Sequence, residues 1–170
     1  MLGFLFRTLT TQAGRGAALF AAATAEARSP HWYVEGAVPD TIDGRFAMLA
    51  TIVALAIVRL EQAGDEGNAA SVALTERFIE VMESEHREMG LGDPKLGRTV
   101  RKLVGALSRR VALWRSAAAG QRDWSETARE SLYKDQVPAD ALDHSATALQ
   151  RLWTAIQALD LSVLLDGRLE

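Results

Sequence analysis

The chain has no cysteine among its 170 residues. That removes disulfides, a thiolate nucleophile and every cysteine-built zinc or iron–sulfur site, and with them the disulfide-stapled class of small secreted domains. Proline is scarce as well, at four residues, so long segments run without a break. No run alternates apolar and polar residues for six or more positions, as a half-buried strand would. No apolar run is long enough for a membrane-spanning helix, which needs about 20 residues. The longest, Phe46 to Val58, is thirteen residues between Arg45 and Arg59 and reads as a buried helix. Phosphate-binding glycine loops and the strand–turn–helix elbow of serine hydrolases are also missing.

What is present is helix-forming: Ala, Leu, Glu and Arg dominate long stretches. The expectation is an all-α, single-domain bundle of about six to seven helices spanning 1–170, built around one central apolar helix. Residues 1–28 form an apolar N-terminal arm of one or two helices, breaking near Gly14 and Gly16. The arm lacks a basic leading segment and carries Arg7 and Arg15 within its apolar stretches, which argues against a cleaved leader. A connector follows from Ser29 to Pro39. Asp40 then suits the N-cap of the central helix and Asp43 its first turn, where a negative charge meets the positive end of the dipole. In that helix Phe46, Leu49, Val53, Ile57 and Leu60 follow steps of three and four, while Met48, Ile52, Leu55 and Val58 cover other faces. Such a helix belongs in the middle of a bundle.

Ala63 to Ala70, with Gly64, Asp65, Gly67 and Asn68, reads as a surface loop. Helical spacing resumes at Leu74 and ends at Gly90. Gly90-Leu91-Gly92-Asp93-Pro94 is a tight corner in which Asp93 suits the next N-cap and Pro94 the first helical position. A long helix then fades near Gly120. A short one is expected from Glu126 to about Lys134, and a last from about Ala139 to Leu159.

Charge is distributed unevenly. The formal net charge is -3, which argues against a DNA-coating protein. Yet 94–122 holds eight basic residues and no acidic one, with Arg98, Arg101, Lys102 and Arg109 on one side of an amphipathic helix. That pattern suits an anionic partner such as a lipid surface or ribosomal RNA, or a solvated face paired with neighbouring acids. His31, His86 and His144 are too scattered for a local metal motif, and the acids between Glu76 and Glu88 read as a solvated stripe. No catalytic residue, metal ligand or cofactor is assigned. His31-Trp32-Tyr33, in the connector, serves either to cap the bundle or to contact a partner.

Several of these segments together resemble one family. Trp32-Tyr33, Pro39-Asp40-Thr41-Ile42-Asp43-Gly44-Arg45-Phe46, the apolar helix ending Val58-Arg59-Leu60, His86-Arg87-Glu88-Met89-Gly90-Leu91-Gly92-Asp93 and Val100-Arg101-Lys102 are similar to the ubiquinol-cytochrome c chaperones, over roughly Pro30 to Trp114. The resemblance implies a non-enzymatic assembly factor of respiratory complex III, without a cofactor, that binds newly made cytochrome b at the membrane. It implies a bacterial member, cytoplasmic and peripheral at the inner membrane; a small partner protein and the ribosome belong to the mitochondrial case. The partner-binding residues expected are Trp32, Tyr33, Arg45, Phe46, Arg87, Glu88, Arg98, Arg101 and Lys102, with Asp40, Asp43 and Asp93 as caps and Arg45 placed to pair with one of them. Two other readings remain: a helical metal-dependent enzyme with a carboxylate cleft, and an RNA- or ribosome-binding adaptor that uses 94–122.

Overall fold

The computed structural model describes residues 16–88, 90 and 93–170, with no side-chain description at 93 and 94. The described residues form seven α-helices and no strand: α1 (16–27), α2 (Ile42–Glu61), α3 (Gly64–Glu88), α4 (Asp93–Ala118), α5 (Trp124–Leu132), α6 (Ala139–Ala158) and α7 (Leu161–Leu165). A single 3-10 turn, Pro30–Trp32, lies in the connector. The expected all-α bundle is therefore the observed one.

Helix α2 is the axis of the bundle, packing against α3, α4, α5 and α6. Every residue from Ala50 to Val58 is buried, so its all-round apolarity reflects neighbours on every side. The residue capping it differs from expectation. Thr41, not Asp40, is the N-cap: its backbone is extended and its hydroxyl accepts the Gly44 N–H at 3.1 Å. Asp40 lies one position too early to reach those amides and instead accepts from Arg45 Nε at 2.6 Å. Asp43 is in the first turn as expected, and it also accepts from Lys134 Nζ at 2.6 Å. At the other end, Arg59 donates to the carbonyls of Ile156 and Leu159, satisfying the C-terminus of α6.

From Gly64 on, the 63–70 segment is helix rather than loop. Gly64 takes a left-handed backbone, φ +67, which reverses the chain immediately after α2. Asp65 and Glu66 occupy the first turn of α3, favourable to its dipole. Gly67 is a packing residue: a Cβ there would come within 2.0 Å of the Leu60 carbonyl oxygen. The corner after α3 turns at Gly90, φ +83, and Asp93 opens α4; its side chain and the whole of Met89, Leu91 and Gly92 lie outside the described residues. Likewise Gly14 falls outside them, and Gly16 is the first described residue of α1, helical and buried, with the Ala73 backbone 3.2 Å from where its Cβ would be.

The arm belongs to the core over its described part. Leu19, Phe20, Ala23 and Ala27 are buried in the same cluster as α2, and Phe20 meets the edge of Phe78 at 6.5 Å. The C-terminus closes over this helix. Helix α7 was not anticipated, because five residues hold too little periodicity to read; it buries Leu164 and Leu165, and Gly167, φ +87, fits against the Ala18 backbone. Helix α5 begins at Trp124, with Asp123 as its N-cap accepting from Glu126 N–H at 2.9 Å.

Candidate functional site: an apolar groove beside a cationic helix

One end of the bundle is opened by a groove of about 1000 Å³. Its walls come from α1 (Phe20, Thr24, Ala27), the stretch between α1 and α2 (Arg28, Pro30, Tyr33, Val34, Asp40), the start of α2 (Ile42, Asp43, Arg45, Phe46, Leu49), the end of α3 (Val81, Met82, Glu85, His86, Glu88) and Leu103 of α4. These parts are far apart in the chain. They meet because α3 and α4 pack against α2 and the buried residues of α1 join the same core cluster.

The floor is apolar and aromatic. Phe46 lies 5.9 Å from Phe78, centroid to centroid. Behind it the buried Arg110 places its guanidinium 5.8 Å from the Phe46 ring centroid, a cation–π distance. No carboxylate pairs with Arg110 among the described residues. Its N–H groups donate to the Ser131 carbonyl, at 2.7 and 3.2 Å, and to the Ala106 carbonyl at 3.1 Å. Loss of hydration on burial, with a smaller effect from neighbouring Arg109, brings its pKa down to about 10. It remains a cation at neutral pH, tied to the carbonyl end of α5 where the helix dipole favours one.

The mouth is mixed. Val34 and Ile42 are each 73% exposed, the largest such values among the big apolar side chains of the described residues, and both border the groove. Arg45 and Asp40 form an exposed ion pair beside them; the hydrogen bond from Arg45 holds the Asp40 carboxyl below its ordinary pKa. Tyr33 is half-buried and donates to the Ala27 carbonyl at 2.6 Å, and burial pushes its hydroxyl pKa up. His86 Nδ1 is 2.7 Å from the Met82 carbonyl. A carbonyl only accepts, so Nδ1 is the donor in this contact.

The expected partner-binding residues thus divide into three groups. Tyr33, Arg45, Phe46 and Glu88 are brought together at the groove. Arg98, Arg101 and Lys102 are exposed on the outer side of α4, and Arg87 points to solvent with Glu83 as its partner at 3.0 Å. Trp32 is corrected: it is 1% exposed, in the core, with its indole N–H donating to the carbonyl and carboxylate of Glu26. A side chain so enclosed has no surface left for a partner, so of the two roles weighed for the connector aromatics Trp32 takes the capping one. Sequence reasoning missed the α1 wall altogether. Its signal was faint, since Phe20, Thr24 and Ala27 follow helical spacing but nothing local says that their far side faces a groove.

Glu80 and Glu83 pair with Arg77 and Arg87 on α3 itself. Among the described residues no three of His, Asp and Glu converge as a metal site would require, and no helix is long and apolar enough to cross a membrane.

The sequence profile of the ubiquinol-cytochrome c chaperones matches residues 35–170, four-fifths of the chain. The chain belongs to the ubiquinol-cytochrome c chaperone family. The family match begins after the aromatic turn, leaving Trp32 and Tyr33 outside it, and runs past Trp114 to include α5, α6 and α7, which motif reading had not reached. In fold the chain is similar to the crystal structure of the Cbp3 homolog from Brucella abortus: TM-score 0.78 at 23% identity, over 98% of this chain and 94% of that one. No curated protein matches the chain.

Proposed function

We propose that this protein is a non-enzymatic assembly chaperone of respiratory complex III, and that it holds newly made cytochrome b with an apolar segment of the client laid against the groove. The observation that carries the reading is the pairing, at one opening, of a large apolar-floored cavity with two big aliphatic side chains left in water, Val34 and Ile42. Exposed apolar surface rimmed by polar groups marks a binding site for another greasy surface. Family membership names the assembly concerned. Arg28, Arg45, Asp40, Asp43 and Glu88 around the mouth offer both signs of charge to the polar ends of such a segment, while Phe46, Leu49 and Val81 supply its apolar contacts.

The test is Val34→Asp with Ile42→Asp. Both positions are exposed, and an acid at the first residue of α2 favours the helix dipole, so the melting temperature should hold. Capture of cytochrome b from cells making complex III should fall at least tenfold, as expected when about 1.4 kcal/mol or more of apolar contact is lost. Unchanged capture by the folded double variant would remove the groove from the client-binding role.

A further inference from the structure

We infer that the outer side of α4 is a docking surface for an anionic phospholipid bilayer. Eight bases occupy 94–122 without an acid, and the fold sorts them. Arg110 is buried, Arg115 pairs with Glu61 and Arg122 with Glu130. Lys95, Arg98, Arg101, Lys102 and Arg109 are exposed, and none has a carboxylate partner among the described residues. On the adjacent α3, Glu80 and Glu83 are engaged by Arg77 and Arg87 of their own helix.

At 3.6 residues per turn the five free bases fall within an arc of about 120°, and at 1.5 Å per residue they span about 21 Å of helix. The opposite side carries the buried Leu96, Leu107, Val111 and Trp114. The helix is therefore held to the bundle by one side and presents a linear cationic array on the other. Between the cations stand small residues, Gly105, Ser108 and Ala112, all exposed. Ammonium and guanidinium groups are then the furthest-projecting atoms, an arrangement that meets a plane of headgroup phosphates. No aromatic residue shares this side, and Trp114 is turned inward at 0% exposure. A surface for single-stranded RNA would want exposed rings on which bases stack; this one reads charge alone. The inference stands on α4 by itself and needs no client.

The test uses the full chain with sedimenting vesicles, either pure phosphatidylcholine or phosphatidylcholine mixed with phosphatidylglycerol. A base close to an anionic surface contributes about fivefold to partitioning. The wild-type chain should favour the phosphatidylglycerol vesicles, and the preference should decline as salt rises. Arg101→Gln with Lys102→Gln should lower it about 25-fold, and Lys95→Gln with Arg98→Gln should do the same from other positions, with helicity by circular dichroism unchanged in both. Equal binding to both vesicle types, full retention by the folded variants, or tighter capture of an RNA duplex than of phosphatidylglycerol vesicles at the same salt would each overturn the inference. Because no client is present, failure here leaves the groove reading to its own test.

Discussion

The Ser131 hydroxyl is a single atom on which three helices depend. It lies 2.7 Å from Thr51 Oγ1 of α2 and accepts the Trp114 indole N–H of α4 at 3.1 Å, while Ser131 itself belongs to α5. Thr51 Oγ1 donates its own proton to the Ala47 carbonyl at 2.8 Å. With that proton committed, the Ser131 hydroxyl must be the donor to Thr51. All three side chains are 2% exposed or less, so water cannot replace what is lost. Ser131→Ala orphans the indole N–H, at about 1–3 kcal/mol, and removes one neutral hydrogen bond worth about 1 kcal/mol. The sum is about 2–4 kcal/mol, which in a domain of this size lowers the melting temperature by about 4–16 °C. Scanning calorimetry measures it. A cycle with Trp114→Phe sharpens the test, because removing donor and acceptor together leaves no orphan. The double variant should be less destabilised than the sum of the singles by about 1–2 kcal/mol. A drop under about 2 °C for Ser131→Ala, or strict additivity in the cycle, would refute the reasoning.

Two glycines should respond in opposite directions. Gly67→Ala drives a methyl into the Leu60 carbonyl oxygen and should lower stability by about 2–3 kcal/mol. In urea this appears as an earlier midpoint at unchanged slope, and an unmoved midpoint would contradict the packing role. Gly105→Ala, with nothing within 4 Å of the added carbon, should raise stability by up to about 1 kcal/mol; a loss there would show a constraint that the fold does not display. Tyr133, which donates to the Gly36 carbonyl at 2.5 Å, has its pKa raised above the ordinary 10.0, chiefly by burial. Above that pH the unfolded chain releases the proton while the folded chain keeps it, so stability falls as pH rises from about 10. Tyr133→Phe should start lower by about 1 kcal/mol and then decline less steeply between pH 9 and about 11, seen in melting temperature against pH. Parallel curves would count against it.

Much of this was legible from one dimension. A segment apolar on every face, Phe46 to Val58, can only be buried on every face, and α2 is accordingly the axis. The motif around Asp40 to Phe46 and the corner near Gly90 located the start of α2 and the end of α3, and those two helix ends do help to form the groove. Errors fell where a residue type has two uses. Gly64 and Gly67 look alike as turn residues, but one reverses the chain with a positive φ and the other lets α3 approach α2. Whether Trp32 faces the core or a partner depends on what packs over a 3-10 turn, and no local period encodes that.

Composition and periodicity by themselves determined the helical class, the central helix and the concentration of positive charge in 94–122, because each follows from neighbours a few residues apart along the chain. Only the tertiary structure decided which of the eight bases are buried, which are paired and which five remain free. It alone joined α1, the connector, α2, α3 and Leu103 into one groove. The reason is that burial and electrostatic pairing are properties of distance in space: residues 61 and 115 become neighbours, and 20 and 103 line one groove, only after the bundle has closed.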